Sequence, residues 1–199
     1  MALPGRINLL AAALTAANVV SAAAQDHAVS LFAYGGGYSA LKNVNRAATA
    51  EFKTGFTLGG GIGYEIDKNL ELRATLTGAQ SQLLEQGAPT SMYLNRYYVA
   101  ADLKAYYPAA QGITPYGFLG AGAVLLHERG STGADKTQGF AHLGLGIAYA
   151  VGKSGLSIFA QGDGLFYSLT EMTSPTFASF SKAQIDVAWN AGASYRLPL

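Results

Sequence analysis

The segment FTLGGGIGYEI at residues 56–66 places glycine at 59, 60, 61 and 63, a density that invites comparison with loops whose backbone amides cradle phosphate. A dinucleotide loop needs G-x-G-x-x-G between a strand and a helix. After Gly59 and Gly61 the third position is Tyr64, and no amphipathic helix follows. A Walker-type loop fails as well, because Gly152, Lys153 and Ser154 lack the upstream glycine: position 147 is Ile147. A second chemistry worth testing is hydrolysis, since His142, Asp163 and Ser157 supply the residue types of a nucleophile, base and orienting acid. A triad needs convergence, and their spacing puts Ser157 near a short turn, well below His142. The remaining histidines, His27 and His127, are too scattered to converge with His142 on a metal. No catalytic, cofactor-binding or metal-ligating residue is therefore expected, and no cofactor.

The charges have a clearer logic. Glu65, Glu71, Arg73, Arg96, Asp102, Lys104, Asp163, Asp186 and Arg196, joined by Gln161 and Asn190, fall on one side of alternating segments. Buried charges persist mainly when paired. Five acids against four bases in one phase predict a network of ion pairs inside a closed structure. A narrow gated pore, in which one pair exchanges partners, is the other use of such a lining.

These residues are positioned by strands. Period-2 patterning runs from about residue 29 to the end, and 3.6-residue stripes are scarce. In QIDVAWNAGASYRL, Ile185, Val187, Trp189, Ala191, Ala193, Tyr195 and Leu197 alternate with polar or small residues. Eight strands are expected, at 28–38, 54–66, 70–80, 93–107, 115–126, 139–151, 156–168 and 183–197. The first, fifth and seventh carry glycine or apolar residues on both faces, as in PYGFLGAGAVLL, which leaves their phase open. Short gaps (DKN, PAAQGIT, GKSG) alternate with longer polar ones (KNVNRAATAEFK, QLLEQGAPTS, ERGSTGADKT, TEMTSPTFASFS), so four long loops emerge at one end. Strands of this length suit a tilted crossing of a ~30 Å hydrocarbon layer. The outward phase carries two levels of aromatics expected at membrane interfaces: Tyr64, Tyr107, Tyr116, Tyr149 and Tyr195 beside the short turns, Phe56 and Tyr97 toward the opposite rim.

Composition agrees with export. Residues 1–24, MALPGRINLLAAALTAANVVSAAA, read as a signal peptide: one basic residue, Arg6, an apolar run and an A-x-A site. The run of about 14 apolar residues is short of the ~20 that a helical span requires. Removing Arg6 with this leader leaves 12 basic against 12 acidic residues, too balanced for a nucleic-acid partner. No cysteine is present, so no disulfide framework supports the fold.

With its leader, eight alternating strands, alternating gap lengths and endings such as GGGIGYEI and AGASYRL, the chain resembles the small outer-membrane barrels of the OmpA, OmpX and opacity-protein type. The resemblance covers about residues 26–199 and implies that residues 25–199 form an all-β, eight-stranded antiparallel up-and-down transmembrane barrel in the outer membrane of a Gram-negative cell. It implies a monomer surrounded by outer-membrane lipid, inserted by the barrel assembly machinery, with a possible extracellular ligand at the loops. Family members usually end in an aromatic residue, whereas this chain ends YRLPL. A structural or adhesin-like barrel, a narrow porin-like channel and a lipid-active enzyme are the functions compatible with this reading, the first best supported.

Overall fold

A computed structural model describes residues 28–41, 50–107, 112–129, 135–170 and 181–198. The expected signal peptide lies outside the described residues, as do His27 and the loop residues Met172, Phe177 and Phe180. Among the described residues nine strands run in chain order: β1 (Ala28–Ala40), β2 (Ala50–Phe52), β3 (Gly55–Asp67), β4 (Leu70–Glu85), β5 (Ala88–Tyr106), β6 (Ile113–Arg129), β7 (Lys136–Ala150), β8 (Leu156–Thr170) and β9 (Ser181–Pro198). The eight long ones pair antiparallel with their neighbours in the order β4-β3-β1-β9-β8-β7-β6-β5, and a further pairing of β5 with β4 closes the ring. The first and last strands meet along a seam from Ala28 opposite Pro198 to Ala40 opposite Asp186. Closure leaves the ring without a free edge.

Alternation along each strand divides the residues into an outer apolar face and a lumen. Leu58, Ile62, Leu72, Leu76, Leu119 and Leu145 are exposed on the outside, while Glu71, Arg73, Arg96, Asp102, Asp163 and Asp186 are buried within. The three strands of ambiguous phase are settled by their partners. In β1 the even positions Ser30, Tyr34 and Tyr38 are buried, in β6 Tyr116, Phe118 and Val124, and in β8 Gln161, Asp163 and Leu165.

Two expectations change. The stretch QLLEQGAPTS is not a long loop: β4 and β5 continue into a hairpin whose turn is Gln86 and Gly87 alone, both at positive φ (50° and 79°). Two left-handed central residues match the twist of paired strands. The polar side chains that suggested a loop hold the hairpin instead, since Gln82 Nε2 donates to the Thr90 carbonyl (2.7 Å) and the Thr90 hydroxyl donates to the Leu83 carbonyl (2.9 Å). Also unexpected is β2, which pairs with Leu83, Leu84 and Glu85. Together β2, β4 and β5 form a three-stranded extension at the loop end.

The glycine cluster has a steric reason. A Cβ at Gly61 would meet the Ala74 carbonyl and the Phe32 ring, one at Gly59 the Tyr34 ring, and one at Gly63 the Glu71 carboxylate and Ser30 hydroxyl. The glycines thus make room for aromatic rings as well as for a charge. Gly36 is the sharpest case, because its Cβ would strike the backbone carbonyl of Trp189, which cannot rotate away. Gly162, on the outer face of β8, has nothing within 4 Å of the same position. Gly36→Val should abolish the heat-dependent gel shift of the folded barrel, whereas Gly162→Ala should keep it and change urea stability by no more than about 0.5 kcal/mol.

Candidate functional site

The lumen is the only place among the described residues where charged groups gather in number, and three levels can be distinguished along it. Toward the loop end, the hydroxyls of Tyr38, Tyr98 and Tyr167 converge on Asp186 Oδ2. Tyr167 donates at 2.5 Å, Tyr98 at 3.5 Å, and Tyr38 more closely. Arg96 completes the cluster: its Nε lies 3.9 Å from the same carboxylate oxygen and donates to Tyr167 at 3.2 Å, while Nη1 donates to Ser81 at 2.6 Å. The guanidinium lies between the rings of Tyr38 (4.9 Å) and Phe52 (4.5 Å). Arg96 and Asp186 are both fully buried, and an apolar layer of Leu83, Leu94, Val124, Leu126 and Phe140 packs around them. Phe52 belongs to β2, so the added strand covers the lumen by placing one ring over one cation.

The middle level is built on Asp102. His142 Nδ1 bonds Asp102 Oδ1 at 3.0 Å, and Arg73 Nη2 lies 3.6 Å from Oδ2, an ion pair too long for a hydrogen bond. Arg73 gains instead from aromatic faces, with its guanidinium carbon 4.4 Å from the Phe118 centroid and 5.5 Å from that of Phe32. Such contacts strengthen when desolvated. Asp163 is held separately, receiving Gln161 Nε2 (2.9 and 3.1 Å) and Asn190 Nδ2 (2.5 Å). Between these two levels is an enclosed space of about 10 Å³ lined by Tyr34, Thr75, His142, Asp163 and Asn190 among others. That is room for about one water.

The third level lies at the short-turn end. Glu71 accepts from Ser30 at 2.7 Å and from the Tyr106 hydroxyl, and Lys104 Nζ stands 3.9 Å from it. Arg196 Nη2 donates to Glu65 at 2.5 Å at the mouth, where Arg196 is largely exposed. All nine charged residues singled out from sequence therefore line the lumen or its mouth, and they separate into three groups.

The aromatic residues are placed less uniformly. Phe56, Tyr97, Tyr107, Tyr149 and Tyr195 are exposed on the outer surface, and Tyr64 is half-buried there. Tyr116, expected outside, points instead into the lumen, 2% exposed, and donates to Gln161 at 3.1 Å. Glycine on both faces of β6 concealed the phase. Leu119 and Ile113 take the outside, and the missing side chain of Gly146 makes the space that the Tyr116 ring fills.

The hydrolytic set does not assemble. Along β7, His142 lies opposite Leu165, and Ser157 lies opposite Ala150, eight residues away. At ~3.3 Å per residue this separates them by roughly 26 Å. Asp163 serves Gln161 and Asn190, and the acid beside His142 is Asp102. That partner is not legible in any one segment, because Asp102 and His142 lie on β5 and β7, two strands apart around the ring. His127 bonds Asp135 at 2.6 Å on the exposed rim. Among the described residues no group of three or more His, Cys, Asp or Glu converges as a metal site.

The architecture has known counterparts. Neisserial surface protein A superimposes with a TM-score of 0.59 at 17% identity, over 88% of this chain and 100% of that one. The N-terminal β-barrel domain of OprF from Pseudomonas aeruginosa gives 0.53 at 16% identity, over 85% and 97%. Ail, the attachment invasion locus protein of Yersinia pestis in complex with the heparin analogue sucrose octasulfate, gives 0.52 at 14%, over 87% and 99%. At these identities the likeness concerns the fold. No curated protein is significantly similar to the chain in sequence. The family model of the outer membrane protein beta-barrel domain, however, matches residues 9–196, nearly the whole sequence. With closure, an apolar exterior and a polar lumen established, the chain belongs to the outer membrane protein β-barrel domain family.

Proposed function

We propose that this protein is a sealed membrane scaffold, carrying a recognition surface on its loop side and conducting no solute through its lumen. The observation that carries the reading is the occlusion of the lumen. The Arg96–Asp186 cluster and the Arg73–Asp102–His142 cluster are stacked with space for about one water between them, and an apolar layer surrounds the first. A hydrated ion finds no continuous aqueous path through such an interior. Orphaned Nη2 of Arg96 and Oδ1 of Asp186 mark a pair held more by confinement than by ideal geometry.

The extension built from β2, β4 and β5 is the natural contact surface, because it is a strand-paired projection beyond the closed ring and exposed structure on a fixed scaffold is where binding is usually placed. The complex of Ail with a heparin analogue is a precedent for ligand binding on this fold. In the same reading residues 1–24 are a cleaved leader, the barrel is monomeric, and the assembly machinery inserts it. The outer rings of Phe56, Tyr64, Tyr97, Tyr107, Tyr149 and Tyr195 anchor it at the two interfaces. The second reading, a narrow channel, draws its support from an open vestibule at the short-turn end. A lipid-active enzyme is disfavoured by the distance from His142 to Ser157.

Planar bilayers containing the refolded chain should show no unitary conductance; steady single-channel steps would favour the channel. Arg96→Ala should destabilise the barrel to urea by about 3–5 kcal/mol, because it strands the buried Asp186 carboxylate. Replacing the exposed hairpin residues Glu85, Pro89 and Ser91 by alanine should preserve the gel shift and reduce adhesion of expressing cells to matrix-coated surfaces about fivefold or more. Unchanged adhesion would remove the hairpin from the recognition surface.

A further inference from the structure

The vestibule at the short-turn end has features that sealing does not require. It has a volume of about 600 Å³ and is lined by inward residues of β1, β3, β5, β6, β7, β8 and β9. Its size is that of a small-molecule site. Short turns face the periplasm in barrels of this kind, so it opens to that compartment.

The polar groups at its wall are incompletely used. Lys104 Nζ lies 3.9 Å from Glu71 Oε2, beyond hydrogen-bond range, and rests on the rings of Tyr116 (3.9 Å) and Tyr106 (4.5 Å). Lys104 is only 8% exposed, so water supplies little of what the ammonium lacks. Glu71 meanwhile is already satisfied by Ser30 and Tyr106. The hydroxyls of Thr114, Ser157 and Ser194 also line the space, and among the described residues none of them has a hydrogen-bond partner. Phe159 adds an apolar face. Lys68, Lys104 and Arg196 set against Glu65 and Glu71 leave one positive charge in excess. Thr114, Ser157 and Ser194 are half-exposed, so their hydroxyls are open to a ligand entering from water.

We infer that this vestibule binds a small sugar acid from the periplasmic side. A cation with unfilled donors meets the carboxylate, three free hydroxyls meet the ligand's hydroxyls, and the Phe159 face accepts the C–H face of a sugar ring. Neutral sugars lack the group that pairs with Lys104, and inorganic phosphate lacks the body that fills the space and meets the hydroxyls.

The test is amide chemical-shift mapping of the full chain refolded in lipid nanodiscs, titrated with D-glucuronate, D-glucose and inorganic phosphate. Saturable shifts with glucuronate should centre on Lys104, Ser157 and Ser194, with glucose and phosphate at least about tenfold weaker. Lys104→Gln should weaken glucuronate about tenfold or more. Because that change also touches Glu71, the double variant Ser157→Ala with Ser194→Ala provides an independent arm: it leaves every ion pair intact and should weaken glucuronate while the gel shift persists. Absence of saturable shifts, shifts confined to the loop end, glucose or phosphate binding as tightly as glucuronate, or undiminished affinity in the serine double variant would each overturn the inference.

Discussion

A backbone amide in hydrocarbon has no solvent partner, so a strand that enters the membrane must have both its neighbours. The pairing of β4 with β5 and of β1 with β9 meets that demand, and the rest of the molecule follows from it. Eight strands enclose an interior just wide enough for side chains. Large inward residues must then be matched by small ones: the Tyr116 ring occupies the space above Gly146, and Phe32 that above Gly61. Charges buried inside are met by protein groups instead of bulk water: Arg73, Arg96 and Lys104 lie near carboxylates and on aromatic faces, and Asp163 accepts from the amides of Gln161 and Asn190.

The same confinement explains why the interior is layered. Arg96 and Asp186 would be poor partners on a surface, at 3.9 Å, yet three tyrosines and the Phe52 ring surround them in a space that water does not share. Arg73 uses two phenylalanines in place of a second carboxylate. Toward the short turns the packing relaxes, and an open cup with unused donors replaces the plug. Function is accordingly expected at the two ends, which are separated by a closed middle.

Most of this architecture is legible in the sequence because a half-exposed strand shows its period. β3, β4, β5 and β9 carry apolar residues on one face and polar ones on the other, and their phase follows directly. β6 does not, since glycine and alanine occupy both faces, so that from sequence Tyr116 reads as an outward residue while it in fact fills the lumen. The β4–β5 hairpin is hidden by composition: Gln82 and Thr90 look like loop residues until their bonds across the hairpin are seen. The charges could be assigned to the lumen one strand at a time, but their partners could not. The pairing of His142 with Asp102, or of Arg96 with Asp186, depends on strand order and stagger around a closed ring, information that no single segment contains.

The chain has no cysteine, so single cysteines report solvent access without background. Ala188, buried beside the central cavity, and Ser194, on the vestibule wall, lie on the same face of β9. The most direct test is the reaction of Ala188→Cys and Ser194→Cys with a membrane-impermeant, water-soluble thiol reagent added to both sides of lipid-embedded protein. A closed, filled barrel predicts rapid labelling of the vestibule cysteine and none at position 188. Labelling of both at comparable rates would contradict it.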